Sequence, residues 1–358
     1  RLDPAAQQAI RDRHLRALRW EEVDRPPVTL NYPYPHDRDV RPFPYRQAFR
    51  DPAKMLFNEL VYAFGASIFL HAEVGGDLPY TVRANCGTVI VASMFGARVE
   101  QVDDNPPWAI PHDALAPVEA ALDLDPLDLS RGICPSVAAF YEFYRHAMRD
   151  YPNLRRCVRV VLPDLQGPLD TAELLRGSEI YTDMCERPEF VTKLLAHLAK
   201  AQVAVARRLK AVTTDDAPDH AHQHAAVILG HILLRCDSAI NLSAAMYADM
   251  VAPHDAWVLR EMGGGGIHFC GRGQHVAAAM LRLPDLQCLD LGQPLLNDTD
   301  AIYAQARERR VPIVRMRVPE EELVSGRAWR RFPTGVSLAH QVESIEKAAL
   351  LAKRLGIA

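Results

Sequence analysis

The sequence predicts an α/β fold in which strands and helices alternate to build a single (β/α)8 barrel of the TIM type. Three observations point there. Seven short β-type apolar runs are separated by helix-patterned segments, and strands paired in parallel need such crossover connections. Most of the runs end in polar or ionisable residues, as expected where barrel chemistry gathers at the C-terminal ends of the strands. The chain has 358 residues, 49% of them hydrophobic, which suits one barrel with insertions. Residues 1–27 are expected to form an N-terminal helical extension and residues 28–358 the barrel.

Taken in order, a charged helical pattern covers residues 7–22, and the first strand is expected at 28–32. A second run, 66–73, places His71 and Glu73 on one strand face because side chains alternate with period two. Residues 77–112, rich in Gly, Asn and Pro, and the Pro- and Asp-rich 103–130 read as long loops over the barrel mouth. Further strands are expected at 157–164, 231–237, 266–270, 287–292 and 311–318. The helices between them fall at 189–210, at 243–261 behind the N-cap Ser243, at 276–283 and at 298–310, with 341–355 closing the chain.

A net charge of −4 supplies no global field toward nucleic acid or anionic membrane, so small molecules or other proteins are the expected partners. Basic runs such as Arg155-Arg156 read as solvated surface. No apolar run approaches the ~20 residues that span a bilayer, and residues 7–22 hold no signal-peptide core. A soluble, cytoplasmic protein is expected. The seven cysteines are scattered without disulfide-framework spacing, in keeping with a reducing compartment.

The stretch Gly263-Gly-Gly-Gly-Ile-His-Phe-Cys270 concentrates the chemistry. A phosphate loop must follow a strand and open a helix; here a helical pattern precedes the glycines and a strand follows, so they read as a helix C-cap and αβ turn. His268 and Cys270 stand two apart in that strand, on one face and ~6–7 Å apart at the backbone. Nitrogen and sulfur donors so placed suit one zinc ion with further ligands from neighbouring strands. The alternative is a buried thiol beside a hydrogen-bonded histidine.

The segment Gly-Ile-His-Phe-Cys-Gly271, followed by Leu291-Gly-Gln-Pro-Leu-Leu-Asn-Asp298, resembles the uroporphyrinogen decarboxylase superfamily, whose members include corrinoid-dependent methyltransferases with a His-x-Cys zinc motif. Asn85-Cys-Gly87, Ala92-Ser-Met-Phe-Gly96, Asp164-Leu-Gln-Gly-Pro168 and Asp237-Ser-Ala-Ile-Asn-Leu-Ser243 agree in order, so the resemblance runs from about residue 60 onward. It implies a barrel and a pocket at the strand ends. In place of the Arg-rich, glycine-containing N-terminal stretch of the true decarboxylases this chain has Tyr32-Pro-Tyr-Pro-His-Asp-Arg38, which disfavours porphyrinogen decarboxylation. The methyltransferases take a third zinc ligand from a cysteine just before the final helix, and residues 319–340 contain none.

Cys236, Asp237 and Cys288 are then the candidates to complete the ligand set, from strands flanking that of His268. Cys236 and Asp237 end their strand, whereas Cys288 begins its own. His340 and the run His220-Ala-His-Gln-His224 are weaker candidates, the latter reading as solvated surface. Asp164, Asp237 and Gln293 are expected to orient substrate, and Asp164 would serve as a general base if burial raised its pKa; its other reading is a helix cap. Tyr32, Tyr34, His36, His71, Glu73 and Gln166 are expected to line the substrate pocket. Cys86 has no recognisable catalytic partner motif.

The leading expectation is a zinc-dependent methyltransferase that activates a thiol or similar small substrate, with a methylated corrinoid on a separate protein as donor. A metal-free decarboxylase or related lyase would instead hold carboxylates with basic residues such as Arg83, Arg235, Arg272 and Arg315. A barrel that only binds its ligand is the third reading.

Overall fold

The computed structural model describes residues 2–358. Its strands are β1 (Val28–Asn31), β2 (Thr81–Val82), β3 (Arg98–Glu100), β4 (Trp108–Ile110), β5 (Arg159–Val160), β6 (Leu165–Gln166), β7 (His220–Gln223), β8 (Ala226–Leu229), β9 (Leu233–Arg235), β10 (Gly265–Phe269), β11 (Leu286–Leu291), β12 (Ile313–Arg317) and β13 (Val336–Gln341). Seven of them form one parallel sheet in the order β1-β13-β12-β11-β10-β9-β6. β2 and β5 make a separate parallel pair, while β3–β4 and β7–β8 are antiparallel hairpins. The seven-strand ladder is open, with β1 and β6 at its edges. The α/β class and parallel pairing therefore stand as expected.

Helices Pro188–Lys210, Ala252–Met262, Thr299–Arg309 and Ile345–Leu355 fill the crossovers and bury their apolar stripes in one large core that also takes Ile267 and Phe269 of β10 and Leu289 and Leu291 of β11. The opposite face of the strands is different. Leu233, Cys288 and Val314 pack there with Val227 and Ile228 of the β7–β8 hairpin and with Leu15 and Leu18 of helix Pro4–Leu18. That helix caps the N-terminal ends of the strands through side-chain bonds: Gln7 donates to Leu78 O and accepts from Tyr80 N, both at 3.1 Å.

His14, on the same helix, is buried with Nε2 2.8 Å from Asp77 O. Burial lowers its pKa to about 4, so the unfolded chain takes up a proton first. The stability tied to neutral His14 is complete above about pH 6.5 and is lost as pH falls toward 4, a drop of roughly 3 kcal/mol. Urea unfolding measured across that window is expected to show the decline, and His14→Gln to flatten it.

Three expectations are corrected. No strand forms over 66–73: Ser67 Oγ accepts from Leu70 N at 3.2 Å and turns the chain into the short helix His71–Val74, a local bond that competes with extended structure. Residues 77–112 and 103–130 are not plain loops. They carry β2, helix Ile90–Met94, the β3–β4 hairpin and helix Leu115–Ala120, elements too short to show a period. β13 was not expected as a strand; it pairs with both β1 and β12 and extends the sheet to β1.

The glycines behave as their order requires. Gly263 ends helix Ala252–Met262 in the left-handed conformation at φ 79°, the usual role of a glycine past a helix end. Gly266 lies inside β10, where a Cβ would sit 2.4 Å from Cys288 Sγ; only glycine lets β10 and β11 pack here.

Candidate metal centre and binding cavity

In β10 the inward face carries Gly266 and His268, with Cys270 just past the strand end. Asp237 N-caps nothing; it opens the 3-10 turn Asp237–Asn241 directly after β9 and turns its carboxylate toward β10. Asp237 Oδ1 accepts from Cys270 N at 2.6 Å and lies 3.6 Å from His268 Nε2. His268 Nε2 is 3.3 Å from Cys270 Sγ. One ligand atom from each of Asp237, His268 and Cys270 therefore falls within 4.8 Å of the others.

His268 is held in the tautomer a metal ligand needs. Its Nδ1 lies 2.7 Å from Asp290 Oδ2 on β11. A carboxylate only accepts, so Nδ1 carries the proton and the Nε2 lone pair faces Cys270 and Asp237. Asp290 is buried, which opposes its ionisation, yet the Arg315 guanidinium and His268 hold its pKa below the ordinary carboxylate range. Without a cation, burial and Asp237 push the Cys270 thiol up to about 11; a bound cation would reverse that. Gly292 closes the far side. A Cβ there would lie 2.5 Å from Cys270 Sγ and 2.9 Å from His268 Cε1. Gly292→Ala is therefore expected to displace the thiol and weaken metal binding at least tenfold, read by competition against a chromophoric chelator, while the folded far-UV spectrum is kept.

His268 and Cys270 open on a cavity of about 260 Å3 lined by the C-terminal ends of β1, β9, β10, β11, β12 and β13 together with Phe64 and His224. Its wall is basic: Arg235, Arg315 and Arg317 all face it. Arg315 sits at φ 54° where β12 slips register between Ile313 and Met316. Such an irregularity re-aims a side chain, and here it brings the guanidinium onto Asp290.

Beside the cavity lies a second buried cluster. Asp164 pairs with Arg83, with His224 and, at 3.0 Å, with Arg235. Arg83 stacks over Phe64 with Cζ 4.2 Å from the ring centroid, and His224 stacks on the same ring at 4.4 Å. Burial by itself would raise the Asp164 pKa, but Arg83, His224 and Arg235 hold it well below the usual range. Asp164 is thus an ion-pair anchor, and the general-base expectation is corrected. The capping alternative is not realised either: helix Pro168–Arg176 has Gly167 at its N-cap and no side-chain cap bond.

Several expected residues lie elsewhere. Cys236 follows Arg235 and so points to the opposite, helix-packed side, where its thiol meets Asp255 Oδ2 at 3.5 Å; burial and Asp255 raise it far above an ordinary thiol. Asp237, not Cys236, joins His268 and Cys270. Cys288 is buried in the core nearer the strand N-termini, and His340 bonds Val318 O at 2.9 Å. Tyr32 is buried with its hydroxyl accepting from Ser67 N at 3.2 Å. Tyr34 donates to Val40 O, His36 is exposed, and Glu73 pairs with Arg38. His71 contacts Tyr80 Oη at 2.7 Å, Gln166 is buried beside Arg235 in the sheet register, and Gln293 is exposed just after Gly292. None of these lines the cavity. Cys86 is buried, its thiol pushed up to about 12, as befits a packing residue.

His224 is buried, contrary to the solvated surface expected of the run His220-Ala-His-Gln-His224. β7 and β8 pair through Gln223 and Ala226, leaving a two-residue turn of His224 and Ala225 at φ 49° and 56°. Both values are those of a type I′ hairpin turn, normally signalled by Asn-Gly, and His-Ala hides it. Two non-glycine residues in this conformation store roughly 1–2 kcal/mol each, which the stacking and ion pairs around His224 offset.

The chain matches no protein-family model and no curated protein. No helix among the described residues is long and apolar enough to cross a membrane.

Proposed function

We propose that the protein is a zinc-dependent methyltransferase-like enzyme of the uroporphyrinogen decarboxylase superfamily, with β1, β2, the successive segments β5 and β6 taken as one strand, β9, β10, β11, β12 and β13 serving as the eight strands of a barrel. The observation that carries the reading is the convergence of Asp237, His268 and Cys270 at the mouth of a basic cavity, with His268 oriented by Asp290. The oxygen, nitrogen and sulfur donors fit zinc, which tolerates all three and keeps a position open in catalytic sites.

Zinc held there would lower the pKa of a thiol substrate and favour the nucleophilic thiolate. The protein's own groups do the rest. Arg235, Arg315 and Arg317 hold an anionic substituent on the substrate, Phe64 and Leu291 supply apolar wall, and Asp290 fixes the imidazole. A methylated corrinoid on a partner protein is the proposed donor, and the cytoplasm, where free thiols such as the seven here persist, the proposed compartment. Asp290→Asn removes the charge behind His268 and is expected to cut zinc affinity 10–100-fold, measured by the same chelator competition.

A metal-free lyase is the second reading, favoured by the three arginines on the cavity wall, which suit substrate carboxylates. Incubating the zinc-loaded protein with small anionic thiols and a methylcorrinoid, and separately with polycarboxylates, separates the two. Thioether formation that chelation abolishes supports the transferase; CO2 release that survives chelation overturns it in favour of the lyase.

A further inference from the structure

At the opposite end of the strands from the cavity, a groove runs between helices Pro4–Leu18, Cys134–Ala147 and Pro152–Cys157 and the segment after Lys210. Its volume is about 1150 Å3, and its wall carries Arg11, Arg145, Arg149, Arg155, Arg156 and Arg159 against two carboxylates, Glu142 and Asp216. Glu142 is engaged by Arg208 and Arg149 by Asp150. Among the described residues, Arg11, Arg145, Arg155, Arg156 and Arg159 pair with no carboxylate within 4.0 Å. In a chain of net charge −4 this is a strong local excess of positive charge.

Arg11 makes the feature more than a solvated surface. Its residue is only 5% exposed, and its one side-chain acceptor is Gln8 Oε1 at 2.9 Å. Burial first, and then the charge of Arg159, depress its pKa. The repulsion between Arg11 and Arg159 is only partly offset by Asp215, which feels both guanidinium groups but is itself held by His222, and an anion bridging the two would offset the rest. The groove adjoins a smaller cavity of about 140 Å3 that Arg11 and Arg159 share with His220, His222, Asp215 and Asp216; Asp215 is occupied by His222 at 2.8 Å.

We infer that this groove binds an oligophosphate, with one phosphoryl group bridging Arg11 and Arg159 and the others meeting Arg155, Arg156 and Arg145. A phosphate presents enough oxygens to serve two guanidinium forks at once, whereas a carboxylate satisfies one. The row of further arginines extends the charge match beyond a single phosphate. The groove is separate from the metal centre and needs none of its proposed chemistry.

The test is calorimetric titration of the full chain with tripolyphosphate and with adenosine triphosphate in 0.15 M salt. Wild type is expected to bind tripolyphosphate, Arg159→Gln and the exposed double variant Arg155→Glu/Arg156→Glu to bind it at least tenfold more weakly, and His268→Ala to bind as wild type does. Equal affinity for the two probes assigns recognition to the phosphates alone, and tighter binding of the nucleotide adds a nucleoside contact; both support the inference. The double variant keeps the test valid if Arg159→Gln does not fold. No binding of either probe at millimolar concentration, or equal binding by the folded variants, overturns it, as does binding of an acidic peptide in place of both phosphates.

Discussion

His268→Ala and Cys270→Ala are each expected to lower zinc affinity by three orders of magnitude or more and to remove the proposed methyl transfer, with the fold intact. Each substitution leaves two donors of three, and a site built on the remaining pair competes poorly with water. Neither side chain contributes much packing: His268 contacts Asp290, Cys270 and Asp237, all polar, at the floor of an open cavity. The same logic distinguishes Asp237 from its neighbour. Asp237→Ala is expected to behave like the other two, whereas Cys236→Ala, on the far side of the strand, should retain the metal and show only the modest destabilisation of a buried thiol removed from Asp255.

Arg83→Leu is expected to destabilise the protein by about 3 kcal/mol, the cost of breaking one partner out of a buried ion pair. Arg83 is buried and ties together Asp164, His224 and the Phe64 ring. Its loss leaves Asp164 with Arg235 and His224 alone, and loosens the turn residues that carry His224 into the cavity. Chemical denaturation at neutral pH reads the loss. The paired substitution Arg83→Leu/Asp164→Leu removes both charges and should recover part of it, since replacing a buried pair costs less than stranding one member. Full stability in Arg83→Leu alone would mean that the cluster is not a structural anchor.

What the sequence made legible follows from periodicity and chemistry. Strands β1, β9, β10, β11 and β12 fall inside or across the expected runs, and the long helix Pro188–Lys210 was plain from its stripe. His268 and Cys270 were legible because i and i+2 in a strand share a face. The same alternation, applied one strand back, would have disqualified Cys236: Arg235 aligns with His268, so its neighbour must face the helices. Other features were hidden for physical reasons. Asp290 lies two residues before Gly292 in an expected strand, but its partner His268 is 22 residues away. Arg315 depends on a register slip and His224 on a turn without glycine. Ser67 redirected the chain at 66–73 with a single local bond, which no hydrophobic pattern reports.

The arginine groove shows the same limit from the other side. Arg155-Arg156 reads as surface in the sequence, and both are exposed; Arg11, 144 positions before Arg155 in the chain, joins them only because helix Pro4–Leu18 crosses the N-terminal ends of the strands.

Elemental analysis of the untagged wild-type protein asks whether Asp237, His268 and Cys270 hold zinc, as proposed. Near-stoichiometric zinc is expected, or its uptake on addition to a metal-free preparation. Protein that carries no zinc and takes up none when it is supplied would rule out a zinc centre at these three residues.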